Sequence, residues 1–375
     1  MILYLTYNDQ PSGVYWSQVT DVVEHLNTLG GPRVKLVALV SGRGFWETRR
    51  KIKTHNPSAW VIPMVPTMAR WRRNSLFLAA VCRRLRPSGI ICRGPFATWM
   101  ALRMRDRGLV KRVCFDGRGA YAAEWEEYRI IDDDALIAQF RPLEQQALGQ
   151  SDFRIAVSEA LVQHWRERYA YAGTEHVVIP CTLGTSHLSG DGDRERVRAQ
   201  LGYTAEDVVL AYAGSTAGWQ SFALLEELLT AVLAGQPQVK VFFLSRADAN
   251  NSALAERFPG RVRIAWLAPE QVSGTLSACD RGLLIREDTV TNRVSSPTKF
   301  AEYLAAGLPV LISPHIGDFS ALVRTHGLGL VLDDALPSLE PVTEAERVRC
   351  RSFAKQHFTK VAYDNSYRAI LQALA

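Results

Sequence analysis

The sequence predicts an α/β protein built from two Rossmann-like domains, each a doubly wound parallel sheet. Three observations predict it. Short apolar runs of strand length alternate with segments of helical period along the whole chain, the pattern of repeated β-α-β units. The 375 residues are enough to bury two cores. A polar, Gly-rich stretch without apolar periodicity, Leu183 to Asp193, separates the runs into two sets.

In chain order, the first set of strands is Ile2 to Tyr7, Val34 to Val40, Trp60 to Met64, Gly89 to Cys92, Arg112 to Phe115, Phe153 to Val157 and Val177 to Ile179. A helix after the first strand carries Val19, Val22, Val23 and Leu26 on one face. The segment Met68 to Arg86 reads as a helix with a basic face interleaved with Trp, Phe and Leu. It suits either an anionic lipid surface or core packing with solvated arginines. The second set is Val208 to Ala213, Val239 to Leu244, Val262 to Leu267, Gly282 to Ile285, Pro309 to Ile312 and Gly327 to Leu332. The last segment, Ser352 to Ala375, spaces Phe358, Val361, Ala362, Tyr367, Ile370, Leu371 and Leu374 as a helix does.

Composition narrows the class. Hydrophobic residues at 47% and charged residues at 22% are ordinary for a globular chain, and no apolar run approaches a membrane span. The six cysteines are scattered without a Cys-x-x-Cys, which suits reduced thiols and a cytoplasmic setting. The eight histidines form no ligand-spaced cluster, so no metal is expected. Asp132-Asp133-Asp134 precedes a helical pattern and reads as an acidic helix start. The opening residues read as a strand and not as a signal peptide. The net charge of +6 is concentrated between Arg43 and Arg112, which points to an anionic membrane surface. No recognised module supports nucleic acid as a partner.

The chemistry concentrates at Ser295-Ser296-Pro297-Thr298-Lys299-Phe300-Ala301-Glu302. Ser296 suits an N-cap, Pro297 the first helical position, and Gly307 with Pro309 closes the helix. Lys299 therefore lies in the first turn, where partial positive charge disfavours a cation unless a phosphate-like ligand collects both. Glu302, three residues on, shares that face and can accept from two ribose hydroxyls. The alternative is a surface Lys–Glu pair worth a few tenths of a kcal/mol.

Ligands of parallel sheets bind beyond the carboxyl ends of the strands, which selects further candidates. They are the loop around Gly13, Arg93 beside Gly94, the turn Gly214-Ser215, and Asp116-Gly117-Arg118 with Glu124 and Glu127 downstream. Arg93 is placed for a phosphate or an acidic acceptor, or is a surface arginine. Asp116 and Arg118 orient sugar hydroxyls or stabilise their own turn.

The segment from Pro297 to Val310 resembles the signature Pro-x-Lys-x-x-Glu-Tyr-Leu-Ala-x-Gly-x-Pro-Val of group 1 glycosyltransferases with the GT-B fold. The resemblance implies two domains facing across a cleft, at 1–183 with a returning helix 353–375, and at 184–352. It implies retaining, metal-independent transfer from a nucleoside diphosphate sugar of UDP or GDP type, a co-substrate and not a cofactor. Lys299 would meet the diphosphate, Glu302 the ribose, and Ser295 and Ser296 would supply the helix start. The Asp-x-Arg-Gly run looks like the acceptor side of some members, giving Asp116 and Arg118 catalytic roles. The family's basic residue after the Gly214 turn is missing, so Arg246 or Arg293 would join Lys299 at the phosphates. Leu267 falls in the base-binding loop, and Gly13 matches the family's first loop. The glutamate that many members carry eight residues before the ribose glutamate is Val294 here. The acceptor would be a glycan or lipid-linked, in bacterial envelope or polysaccharide synthesis, with the enzyme peripheral on the inner face of the membrane. The alternatives are a noncatalytic nucleotide-sugar-binding or scaffold subunit and a nucleotide-sugar epimerase.

Overall fold

The computed structural model describes residues 1–65, 68–130, 132–184, 193–214, 221–333 and 338–375. Among them the strands form two sheets, each with parallel pairings only. The first contains β1 (Ile2–Tyr7), β2 (Val34–Val40), β3 (Trp60–Pro63), β4 (Gly89–Arg93), β5 (Arg112–Gly117), β6 (Phe153–Ala156) and β7 (His176–Val178), in the order β3-β2-β1-β4-β5-β6-β7. The second contains β8 (Val208–Ala213), β9 (Val239–Leu244), β10 (Val262–Ile264), β11 (Arg281–Leu284), β12 (Val310–Ile312) and β13 (Gly329–Val331), in the order β10-β9-β8-β11-β12-β13. Each sheet reverses direction once, at β1/β4 and at β8/β11, and so carries one topological switch point.

The chain divides into two compact units, Met1–Thr182 with Lys360–Ala375, and Leu183–Thr359. In the first, side chains alternate along β1. Leu3, Leu5 and Tyr7 pack with helices Ser75–Leu85 and Gly94–Asp106, while Ile2 and Tyr4 pack with Asp21–Thr28 and Asp364–Leu374. The returning segment begins at Lys360, later than the expected 353. Phe353, Ala354 and Phe358 belong to the core of the second unit. Gly89 lets the last helix lie directly on β4, because a Cβ there would stand 2.7 Å from Leu374 Cβ and 2.9 Å from its carbonyl oxygen.

In the second unit, Val209, Ala211 and Ala213 of β8 pack with helices Thr298–Ala305 and Glu344–His357, and Val208, Leu210 and Tyr212 with Phe222–Gly235. Asp280 is fully buried and accepts from Arg194, Arg198, Arg347 and the Val209 N–H, fastening two helices to the foot of β8 and β11. Removing that carboxylate would strand three guanidinium groups, a loss of about 3–5 kcal/mol for a buried pair broken on one side.

Three elements differ most from expectation, among them β13, which covers only Gly329–Val331. β10 stops at Ile264, and Met68–Asn74 forms a 3₁₀ segment interrupted at Arg70 before the helix Ser75–Leu85. Trp71 turns fully into the core, whereas Leu76 and Phe77 stay 63% and 40% exposed.

Candidate functional site

In the second unit, the switch point lies between β8 and β11, and the segment leaving β11 is held along its whole length. Arg286 N–H donates to Ser313 Oγ (2.9 Å) and Glu287 N–H to Ser221 Oγ (2.9 Å). Thr289 caps the short helix Val290–Arg293 by accepting from Asn292 N–H, and the buried Asn292 amide donates to the Glu287 carbonyl (3.0 Å). Ser295 Oγ donates to the Asn292 carbonyl (2.9 Å). Gly317, at φ +46°, closes over this turn, since a Cβ there would stand 2.0 Å from Ser295 O. No L side chain fits that position.

The helix begins at Thr298, with Pro297 as its N-cap. Ser296, expected as the cap, is buried instead, because the preceding turn draws it under the loop. Phe300, Ala301, Tyr303 and Leu304 bury one face. The Tyr303 ring occupies the space a Cβ on Gly282 would need, only 2.3 Å away, and its hydroxyl accepts from Ala213 N–H at the end of β8 (2.8 Å). This docks the helix on β11 with its first turn at the carboxyl edge of the sheet. On the other face Lys299 Nζ donates to Glu302 Oε2 (2.6 Å), with side chains 30% and 13% exposed. The two predicted ligands are thus brought together, and each holds the other.

The remaining expectations in this unit fare unevenly. Gly214 ends β8 at φ +148°, while Ser215 lies outside the described residues. Arg293 makes a two-point ion pair with Asp288 (2.5 and 2.7 Å), which draws its charge away from the role expected of it. Val294 is buried, so the position aligned with the family's glutamate points into the protein. Leu267 packs toward the core, and its neighbour Trp266 is the exposed wall, 66% open beneath the Arg246 guanidinium at 4.8 Å. Trp266 belongs to the loop from which base recognition is expected, although Leu267 is the residue singled out there.

In the first unit, the switch point lies between β1 and β4. Asp116, expected to touch sugar hydroxyls, is only 2% exposed and accepts from Tyr4 OH (2.6 Å). Burial and that carboxylate push the Tyr4 hydroxyl well above its ordinary value, so Tyr4 remains the donor. Arg118, 3.5 Å from Asp116, donates to Gln18 Oε1 (3.0 Å) and Cys181 Sγ (3.2 Å), while Gln18 donates to the Thr182 carbonyl (2.6 Å). A π-helical turn, Trp16–Thr20, presents Gln18 for this bond. Asp116 and Arg118 therefore brace the segment by which the chain leaves the unit, in line with the turn-stabilising alternative; Asp116 is closed off from solvent within β5, whereas Arg118, just beyond it, keeps 13% of its side chain exposed.

Arg93 is 13% exposed and lies 3.4 Å from Asp9 and 3.9 Å from Asp116. The surface-arginine reading is corrected by this burial. Asp9 belongs to the loop selected after β1, in which Gly13 is the residue singled out and no role is assigned to the carboxylate. Gly13 opens a short helical turn with nothing crowding it. Glu124 is half-buried on helix Tyr121–Tyr128, where burial and then the charge of Glu127 raise its carboxyl, and Glu127 is exposed. Glu144, also unforeseen, supports that helix. It is fully buried, accepts from the N–H groups of Tyr121 and Ala122 and from Tyr169 OH, and is pushed up to about 7 by burial.

No protein-family model matches the chain, and no curated protein matches it in sequence. Solved structures do. Sucrose-phosphate synthase from Thermosynechococcus elongatus aligns at TM-score 0.71 and 14% identity, over 100% of this chain and 98% of its own. HepE of Anabaena, solved with UDP, aligns at 0.71 and 13%, over 99% of both chains. WaaG, a glycosyltransferase involved in lipopolysaccharide biosynthesis, aligns at 0.58 and 14%, over 99% of this chain and 95% of its own. With its two Rossmann-like parallel sheets, the chain has the GT-B fold of these glycosyltransferases.

Proposed function

We propose that the protein is a glycosyltransferase that moves a sugar from a nucleoside diphosphate sugar, of UDP or GDP type, to a glycan or lipid-linked acceptor. The observation that carries this is the partly buried Lys299–Glu302 pair on the first turn of a helix docked at a topological switch point. The donor diphosphate draws Lys299 from Glu302 and takes up the unpaired N–H groups of the helix start, and Glu302 turns to the ribose hydroxyls. Charge that builds on the departing diphosphate is met by Lys299 and by the backbone at Gly214, with Ser215 next in sequence, and no divalent metal is required. Trp266 walls the base beneath Arg246. Transfer with retention follows the group 1 resemblance. UDP in HepE supports the donor class, and WaaG's part in lipopolysaccharide biosynthesis supports an envelope glycan as product. A cytoplasmic protein held peripherally on the membrane's inner face fits the basic first unit; cosedimentation with anionic vesicles checks it.

The test is calorimetric titration and turnover with a panel of UDP- and GDP-sugars. Lys299→Ala should lower turnover by about 10²–10³-fold with the fold intact, the loss expected when one charge-stabilising group is removed. Glu302→Ala should weaken nucleotide binding. Wild-type kinetics in Lys299→Ala would sink the phosphate role. A second reading, a noncatalytic nucleotide-sugar-binding or scaffold subunit, is favoured by the buried Val294 and predicts binding without turnover. An epimerase would instead interconvert the free donor.

A further inference from the structure

We propose that Asp9 and Arg93 form a subsite for one neutral hydroxyl of the sugar acceptor, with Asp116 as the positioning residue behind them. This rests on the glycosyl-transfer reading above. The three groups lie at the carboxyl ends of three neighbouring strands, Asp9 just beyond β1, Arg93 as the last residue of β4 and Asp116 near the end of β5, at the switch point where parallel sheets receive ligands. Side-chain exposure falls from 29% at Asp9 through 13% at Arg93 to 2% at Asp116, so Asp9 is the end that solvent reaches. Asn8, in the left-handed region at φ 59° and tied to the Leu39 carbonyl (2.9 Å), fixes the turn that presents it.

The row is incomplete. Arg93 Nη1 and Asp116 Oδ1 are buried and make no hydrogen bond among the described residues, and the Arg93–Asp9 and Arg93–Asp116 contacts are long. A half-satisfied buried network costs more than an apolar one, so something small is expected to complete it. That group must accept from a guanidinium and donate to a carboxylate. A hydroxyl does both, whereas a phosphate or carboxylate only accepts. Charge agrees, because Asp9 and Asp116 balance Arg93 and Arg118 and leave no net attraction for an anion. The site therefore selects a neutral sugar hydroxyl over the phosphate or acidic acceptor first expected at Arg93.

Ligand-observed NMR with methyl glucoside, methyl galactoside and methyl mannoside as probes tests this, at saturating UDP and with glucose 6-phosphate as the charged comparison. At least one methyl hexoside should bind the wild type, and no less tightly than the phosphate. Asp9→Ala should weaken it about tenfold or more, as loss of a charge-assisted hydrogen bond does, with UDP affinity unchanged within twofold. Asp9→Asn, with the same shape, should fall between, and thermal melts of both variants establish folding. Two results overturn the subsite. One is UDP binding with no hexoside binding, which leaves the gap to a structural water only; the other is a hexoside affinity unchanged in Asp9→Ala. Failure of the wild type to bind either UDP or GDP would instead overturn the transferase reading, and the hexoside comparison would still decide the subsite.

Discussion

At the scale of single residues, the legible signals were those that defied local preference. Lys299 stood out because a cation in a first helical turn is disfavoured without an anion, and the structure places it and Glu302 together on one partly exposed face. Depth was not legible: the letters of Asp116 and Arg118 give charge and spacing, but burial beneath Tyr4 and Gln18 depends on helices far along the chain. Glu144 was invisible for the same reason, and it has a measurable consequence. Folded, its carboxyl keeps a proton up to about 7, whereas the unfolded chain releases it near 4.5. Between these values the folded state binds more protons, so stability falls as pH rises through this window and is fully reduced above it. The loss is at most about 3 kcal/mol, from roughly 1.4 kcal/mol per pH unit. Urea denaturation at pH 5 and pH 8 should show Glu144→Gln with a flatter dependence than the wild type. Parallel curves would show that another group sets the slope.

At the scale of elements, strands were read closely because a buried parallel strand is a short apolar run with polar ends, and β1, β2, β8 and β9 match their predicted spans. Edges were read less well. β10 ends early because the ladder with β9 runs out after the Ala265 N–H, which still donates to the Phe243 carbonyl (2.9 Å), and periodicity alone cannot see where a neighbour stops. The segment 68–86 read as one helix because its apolar spacing continues through the break at Arg70. The last helix is the element on which the first unit leans most visibly. Tyr367, Ile370, Leu371 and Leu374 are buried against β1, β4 and β5, His25 meets Asp364 at 2.8 Å, and Arg368 reaches the Leu29 carbonyl at 2.6 Å. At roughly 1.5–3 kcal/mol for each of these four large side chains, its burial is comparable with the whole margin by which a domain usually folds. Deleting 360–375 should therefore unfold the first unit while the second, which keeps its own core, stays folded. Limited proteolysis of the shortened chain should leave a resistant fragment near 183–359. A shortened chain as resistant throughout as the full one would refute this role.

At the scale of the whole molecule, the distribution of charge was as legible as the division into two sheets, because both are properties of long stretches and average over local error. Its partner depends on which apolar groups accompany the charge on the surface. The basic region from Arg43 to Arg112 also exposes Trp46 at 76%, Leu76 at 63% and Phe77 at 40%, while Arg72 lies over the rings of Trp71 and Trp99. A solvated basic surface gains nothing from exposed Leu and Phe side by side, whereas a lipid interface takes both the charge and the side chains. Each arginine near an anionic surface contributes about 1 kcal/mol, and burying Leu76 and Phe77 adds a comparable amount. Binding to vesicles containing phosphatidylserine should accordingly be strong at low salt and weaken several-fold at 0.5 M salt, about where the Debye length shrinks to a few ångströms. The double variant Leu76→Ser with Phe77→Ser should weaken it about tenfold or more while leaving nucleotide binding unchanged. Equal binding to neutral phosphatidylcholine vesicles would remove the electrostatic half of the argument. Undiminished binding by the double variant would remove the apolar half, and a basic first unit would then stand for charge alone.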